Sequence, residues 1–118
     1  MEVTWAAPQT PDVTIDEKRK ILRLHAPFGQ RLGRPHRIRI GLAQDKGRRC
    51  VVLALAAESE DDGVYDVNYS REGSSTGQIS IGRAFNDLGL DTSEGRVIKK
   101  NAHADEVGGV KVWLVWLD

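Results

Sequence analysis

Few residues in this chain have the type and spacing that chemistry needs. The one thiol, Cys50, opens an apolar run, where a cysteine packs as a small hydrophobe instead of reacting. No Gly-x-Ser-x-Gly step lifts a serine nucleophile out of a strand. Gly73-Ser74-Ser75-Thr76-Gly77 has the composition of a phosphate loop but no following Gly-Lys-Ser/Thr, so it reads as a flexible hairpin turn. His25, His36 and His103 can be set beside Cys50 or Asp105 as metal ligands, yet they show neither Cys-x2-Cys nor His-x3-His spacing. The acidic run 58–62 lacks the glycine and closing glutamate of a calcium loop. The expectation is a non-catalytic protein with no cofactor and no metal.

Binding chemistry is better supplied. Arg34, Arg37, Arg39, Lys46, Arg48 and Arg49 gather around one strand pair, and Lys18, Arg19, Lys20 and Arg23 occupy an earlier turn and strand. Cations on an antiparallel ribbon meet backbone phosphates, and arginine can also grip a guanine edge with two bonds. These ten are the candidate DNA-binding residues. Trp113 and Trp116 have opposite parity on the last strand, so a regular strand cannot turn both toward one core. The exposed one is a candidate protein-binding hot spot.

The formal net charge is zero, but it is unevenly laid out. Residues 1–57 carry eleven Lys and Arg against five Asp and Glu, a net +6; residues 58–118 carry six against twelve, a net −6. Either one face attracts phosphates, or the two halves attract each other.

The elements that must position these residues are short. At 118 residues, 40% apolar and 29% charged, the chain fits a single soluble domain that needs no disulfide or metal staple. Its longest nearly apolar run, 50–57, is far below the ~20 residues that cross a bilayer. The start Met1-Glu2-Val3-Thr4-Trp5 has no signal-peptide pattern, and one cysteine fits a reducing cytoplasm. Residues 1–12, with Pro8 and Pro11, read as a flexible N-terminal arm that Trp5 can pin to the body.

Strands are expected at Val13–Ile15, Lys20–Leu24, Arg37–Leu42 and Cys50–Leu55, the last apolar on both faces and therefore central. In the second half, Val64–Tyr69 alternates with Tyr65, Val67 and Tyr69 on one face, and Gln78–Ile81 follows the Gly/Ser turn. Arg96–Lys100 and Val110–Leu117 are expected to pair as a final hairpin. Two short helices, one around Pro27-Phe28 and one over 83–88, each stop at Leu-Gly: Leu32-Gly33 and Leu88-Gly89.

Each half therefore reads strand, turn, strand, short helix, hairpin. The expected fold is α+β and mostly β: a pseudo-twofold, β-barrel-like domain over 13–118. Its two β-α-β-hairpin units, 13–57 and 64–118, are joined by the acidic linker 58–63.

The stretch from Val13 to His25, with its paired short strands, resembles the opening of AbrB-type swapped-hairpin proteins. Gly77-Gln78-Ile79-Ser80-Ile81-Gly82, before the second helix, resembles it again. That family includes transition-state regulators and antitoxins, and its MraZ-type members hold two such units in one chain. The family glycine is Arg19 here, the family proline is His25 in one half and Gly82 in the other, and the first half has an extra residue before its helix. The resemblance implies double-stranded DNA as the partner. The leading expectation is a cytoplasmic DNA-binding regulator or antitoxin, a pseudo-symmetric monomer or a homodimer, using its basic N-terminal half. The alternative is a protein-binding module or inhibitor, of the kind a phage or mobile element encodes, acting on a host complex.

Overall fold

The computed structural model describes residues 1–3, 11–59, 62–71 and 73–117. The pinning of an arm by Trp5 lies outside the described residues, as do Glu60 and Asp61 of the linker.

Alternation between apolar and polar residues sets the strands. In β1 (Val13–Asp16) and β2 (Ile21–Leu24), Val13, Ile15, Leu22 and Leu24 are fully buried while Arg23 points away. Helix α1 (Ala26–Arg31) follows, then β3 (Arg37–Asp45) and β4 (Arg48–Leu55). The second half contributes β5 (Val64–Asp66), β6 (Asn68–Tyr69), β7 (Gly77–Ser80) and α2 (Gly82–Asp87). It ends with β8 (Val97–Lys100), β9 (His103–Val107) and β10 (Val110–Trp116). The strands form two antiparallel sheets, β6-β7-β2-β1-β8 and β5-β3-β4-β10-β9. Their inner faces share one core with Phe28 and Phe85 of the two helices. Closure of the strands into a barrel is not seen.

The central pair of each sheet joins the two halves. β2 pairs with β7, placing Leu22 opposite Ile79, and β4 pairs with β10, placing Val51 opposite Val115. All four side chains are fully buried. Burying a side chain of this size is worth about 1.5–3 kcal/mol, and here the burial exists only because the other half supplies the neighbour.

The local connections repeat. At the end of α1, Gly33 N–H donates to Gln30 and Arg34 N–H to Gly29; at the end of α2, Gly89 donates to Asn86 and Leu90 to Phe85. This is the Schellman closure, and it needs the positive φ that Gly33 (81°) and Gly89 (73°) adopt. The β3–β4 and β9–β10 hairpins use two-residue turns with both central residues at positive φ, Lys46-Gly47 and Gly108-Gly109, the pattern of a type I′ turn.

Two expectations need correction. The final hairpin is β9–β10, with Val107 opposite Val110; the Val97–Lys100 segment instead pairs with β1 in the other sheet. β9 escaped notice because His103–Val107 is exposed at all five positions and has no apolar face to alternate. Asp12, read from the sequence as part of the N-terminal arm, is bonded to the body. That residue's carbonyl accepts from His25 N–H, and its carboxylate accepts from Ala102 N–H (2.9 Å) and pairs with Arg31 (3.0 Å).

Gly29 looks like a weak point in α1, since glycine disfavours a helix interior. It is instead the place where the second half crosses the first. The Ser75 carbonyl sits where a Gly29 Cβ would be, and Arg34 Nε holds the neighbouring Ser74 carbonyl at 2.6 Å. Gly29→Ala should therefore destabilise the protein by about 1–3 kcal/mol, as overpacking does, although alanine is the better helix former. Urea unfolding of the variant and the native chain measures the difference.

Candidate nucleic-acid interface

The ten cations read from the sequence do not form one surface. Lys18, Arg19 and Lys20 lie exposed in the β1–β2 turn, where Arg19 N–H donates to the Asp16 carboxylate (3.1 Å). Arg23 stands on the outer face of its sheet, in a cross-strand row with Thr14 and Gln78, and Thr14 continues the row to Lys99. Arg34 stacks over the Tyr69 ring at 4.7 Å while it holds Ser74. Arg37 donates to the Glu58 carbonyl (3.4 Å) and Arg39 Nε to the Asp62 carbonyl (3.3 Å). The two β3 arginines thus bind the linker of their own chain, and the Gly/Ser segment 73–77 packs on α1 as a structural clasp.

Lys46, Arg48 and Arg49 remain together at the tip of the β3–β4 hairpin, exposed. Arg48 lies over the Trp116 ring at 4.6 Å. The register explains why: Cys50 is opposite Trp116, so Arg48, two residues earlier, shares its face. His103 joins the same face from β9, where it pairs with Leu114. Trp113, of the other parity, turns inward and meets Phe28 edge-on at 6.2 Å. The two tryptophans do lie on opposite faces of the sheet.

At the corner where β8 leaves one sheet and β9 enters the other, Lys99, Lys100 and Asn101 come beside this face. With Pro11, Arg48, His103 and Trp116 they line an open recess of about 550 Å³. Among the described residues that line it, none is a carboxylate. Sequence reading missed Lys99, Lys100, Asn101 and His103 because they belong to the half that is acidic on average. The adjacent pair Lys99-Lys100, the only such pair in 58–118, was the available signal.

The outer face of this sheet also holds an apolar groove of about 540 Å³, lined by Gly41, Ala43, Val52, Ala54 and Val112, with Arg39 and Asp62 at its rim. Val107 and Val110 beside it are 60% and 51% exposed.

No protein-family model, curated protein or solved structure matches the chain. The site is therefore judged on its own chemistry. Cys50 is buried, and burial pushes its thiol up from the usual range, away from the thiolate a nucleophile needs. Among the described residues, no three His, Cys, Asp or Glu side chains are grouped to hold a metal ion. No helix among them is long and apolar enough to cross a membrane. The arrangement can bind an anion and offer a ring face for stacking.

His25 lies at the edge of the polar row on the other sheet and shares a 2.7 Å hydrogen bond with the Thr14 hydroxyl. Burial lowers its pKa below the ordinary 6.5, Arg23 and Lys99 lower it further, and Asp12 works the other way. The unfolded chain therefore takes up a proton that the folded chain resists. This contribution is whole above pH 6.5 and is lost as pH falls through the lowered value. Thermal melts at pH 5.5 and 7.5 should show a smaller acid-induced loss of stability in His25→Gln than in the native protein.

Proposed function

We propose that the chain is a non-catalytic, cytoplasmic DNA-binding protein of the regulator or antitoxin kind that its AbrB-type resemblance implies. The observation that carries this reading is the recess in which Arg48 lies over Trp116 and which Lys99, Lys100 and His103 also line, drawn from both halves of the chain. Phosphate contacts supply most of the affinity of such proteins, and they require cations converging on one exposed surface. Lys46 and Arg49 extend the surface along the hairpin tip. Arg37 and Arg39 contribute less, because their guanidinium groups are engaged with the linker.

The same reading treats the two halves as one swapped-hairpin unit used twice about a pseudo-twofold axis. The matching helix closures, the matching type I′ turns and the cross-half pairs β2·β7 and β4·β10 support it.

Affinity for duplex DNA should fall steeply with salt. The variant Lys99→Ala should reduce the slope of log K against log salt by about one, roughly the share of one phosphate left without its cation. Arg37→Ala/Arg39→Ala should leave that slope nearly unchanged. Gel shifts across a salt series measure both, and a native chain that retains no duplex at low salt sinks the reading.

The apolar groove on the outer sheet face favours a second reading, a protein-binding module centred on Val107 and Val110 in place of the tryptophans. On that reading the native chain co-purifies with a stoichiometric protein that Val110→Asp fails to retain. Identical recoveries from both chains count against it.

A further inference from the structure

We infer that the recess around Trp116 takes a single unpaired nucleotide of a DNA strand, its phosphate beside Arg48 and Lys99 and its base against the Trp116–Arg48 stack. The inference rests on the DNA-binding reading and says which form of DNA the site selects.

The shape and the chemistry point the same way. A paired duplex is convex and presents phosphates outward with its base faces hidden, so it meets a flat or grooved cationic surface well. A duplex can meet the cations at the rim of a concave recess but cannot fill it, and its volume of about 550 Å³ is within the size range of small-ligand sites. A nucleotide swung out of the stack has a free aromatic face and its own phosphate, and this recess supplies a partner for each. The indole of Trp116 and the guanidinium of Arg48 lie 4.6 Å apart, an aromatic–cation layer of the kind on which bases stack in single-strand sites. Asn101, also among the lining residues, adds a donor and an acceptor for a base edge.

The platform is also rigid. Arg48, Trp116 and His103 stand on three hydrogen-bonded neighbouring strands, β4, β10 and β9, whose registers fix their spacing. Lys99 is held through the pairing of β8 with β1. A ligand therefore meets side chains whose backbones are already in place, which lowers the cost of ordering them.

The test compares a labelled blunt hairpin duplex with the same hairpin carrying a short single-stranded overhang, by fluorescence anisotropy with the full chain. The overhang should bind about tenfold more tightly, the scale of one added base–aromatic stack. Trp116→Leu should remove that gap and Trp116→Phe should keep most of it, while Lys99→Ala should weaken both DNAs alike. Arg48→Met, at the exposed hairpin tip, should also narrow the gap and serves if Trp116→Leu fails to fold. Equal binding of the two DNAs by the native chain overturns the inference and leaves DNA binding standing. Binding of neither overturns both. Free dAMP is the remaining arm: if it quenches Trp116 emission while the two DNAs bind equally, the recess serves free nucleotides and the placement of a strand in it is wrong.

Discussion

The structure depends on hydrogen-bonded pairing between strands that lie far apart in sequence. Neither half owns a complete sheet. Strand β2 has β1 on one side and needs β7 on the other; β4 has β3 and needs β10. Without these partners, Leu22, Val51, Ile79 and Val115 would lose the neighbours that keep them fully buried. A marginally stable domain cannot absorb several such losses at about 1.5–3 kcal/mol each. The halves must therefore fold as one unit, and the register of β4 on β10 then fixes what lies outside the core. Cys50 opposite Trp116 places Arg48 on the indole, and no independent contact has to be invented for it.

Repetition builds the scaffold, and the departures from repetition build the site. The two helix closures match bond for bond, yet Gly29 in the first helix corresponds to Phe85 in the second. The glycine lets the 73–76 segment cross over α1, while the phenylalanine fills the core. Between helix and hairpin turn, the second half is longer: 14 positions separate Leu32 from Lys46, and 20 separate Leu88 from Gly108. The extra length carries Arg96, which closes on Glu17 through backbone and side chain (2.8 and 3.0 Å), and then Lys99, Lys100 and Asn101. The first half has no counterpart to that corner, so the recess occurs on one side of the molecule.

Much of this scaffold was legible in the sequence, and the reasons differ element by element. The Leu-Gly helix stops could be read because glycine alone takes the required backbone cheaply. The strands with one apolar face could be read from alternation, and the opposed tryptophans from parity alone. β9 could not, since an exposed edge strand leaves no hydrophobic pattern. Glu17 could not either. In a run of five charged residues it looks solvated, but it is 3% exposed, bound to a residue 79 positions away. The core depends on periodicity, which is local; the recess depends on which corners meet, which is not.

Charge shows the same limit most sharply. Counting Lys and Arg against Asp and Glu by halves gives +6 and −6, a division that would matter if the halves were separate bodies. In each sheet two strands of the first half lie between strands of the second, so the charges of the two halves are not held on separate bodies. The densest basic stretch of the sequence then loses part of its reach, because Arg37 and Arg39 turn to the carbonyls of Glu58 and Asp62. Two lysines of the acidic half line the same recess as Arg48. Where cations from the two halves come together is therefore decided by strand order and register, which bring Arg48 and the β8 lysines to one recess.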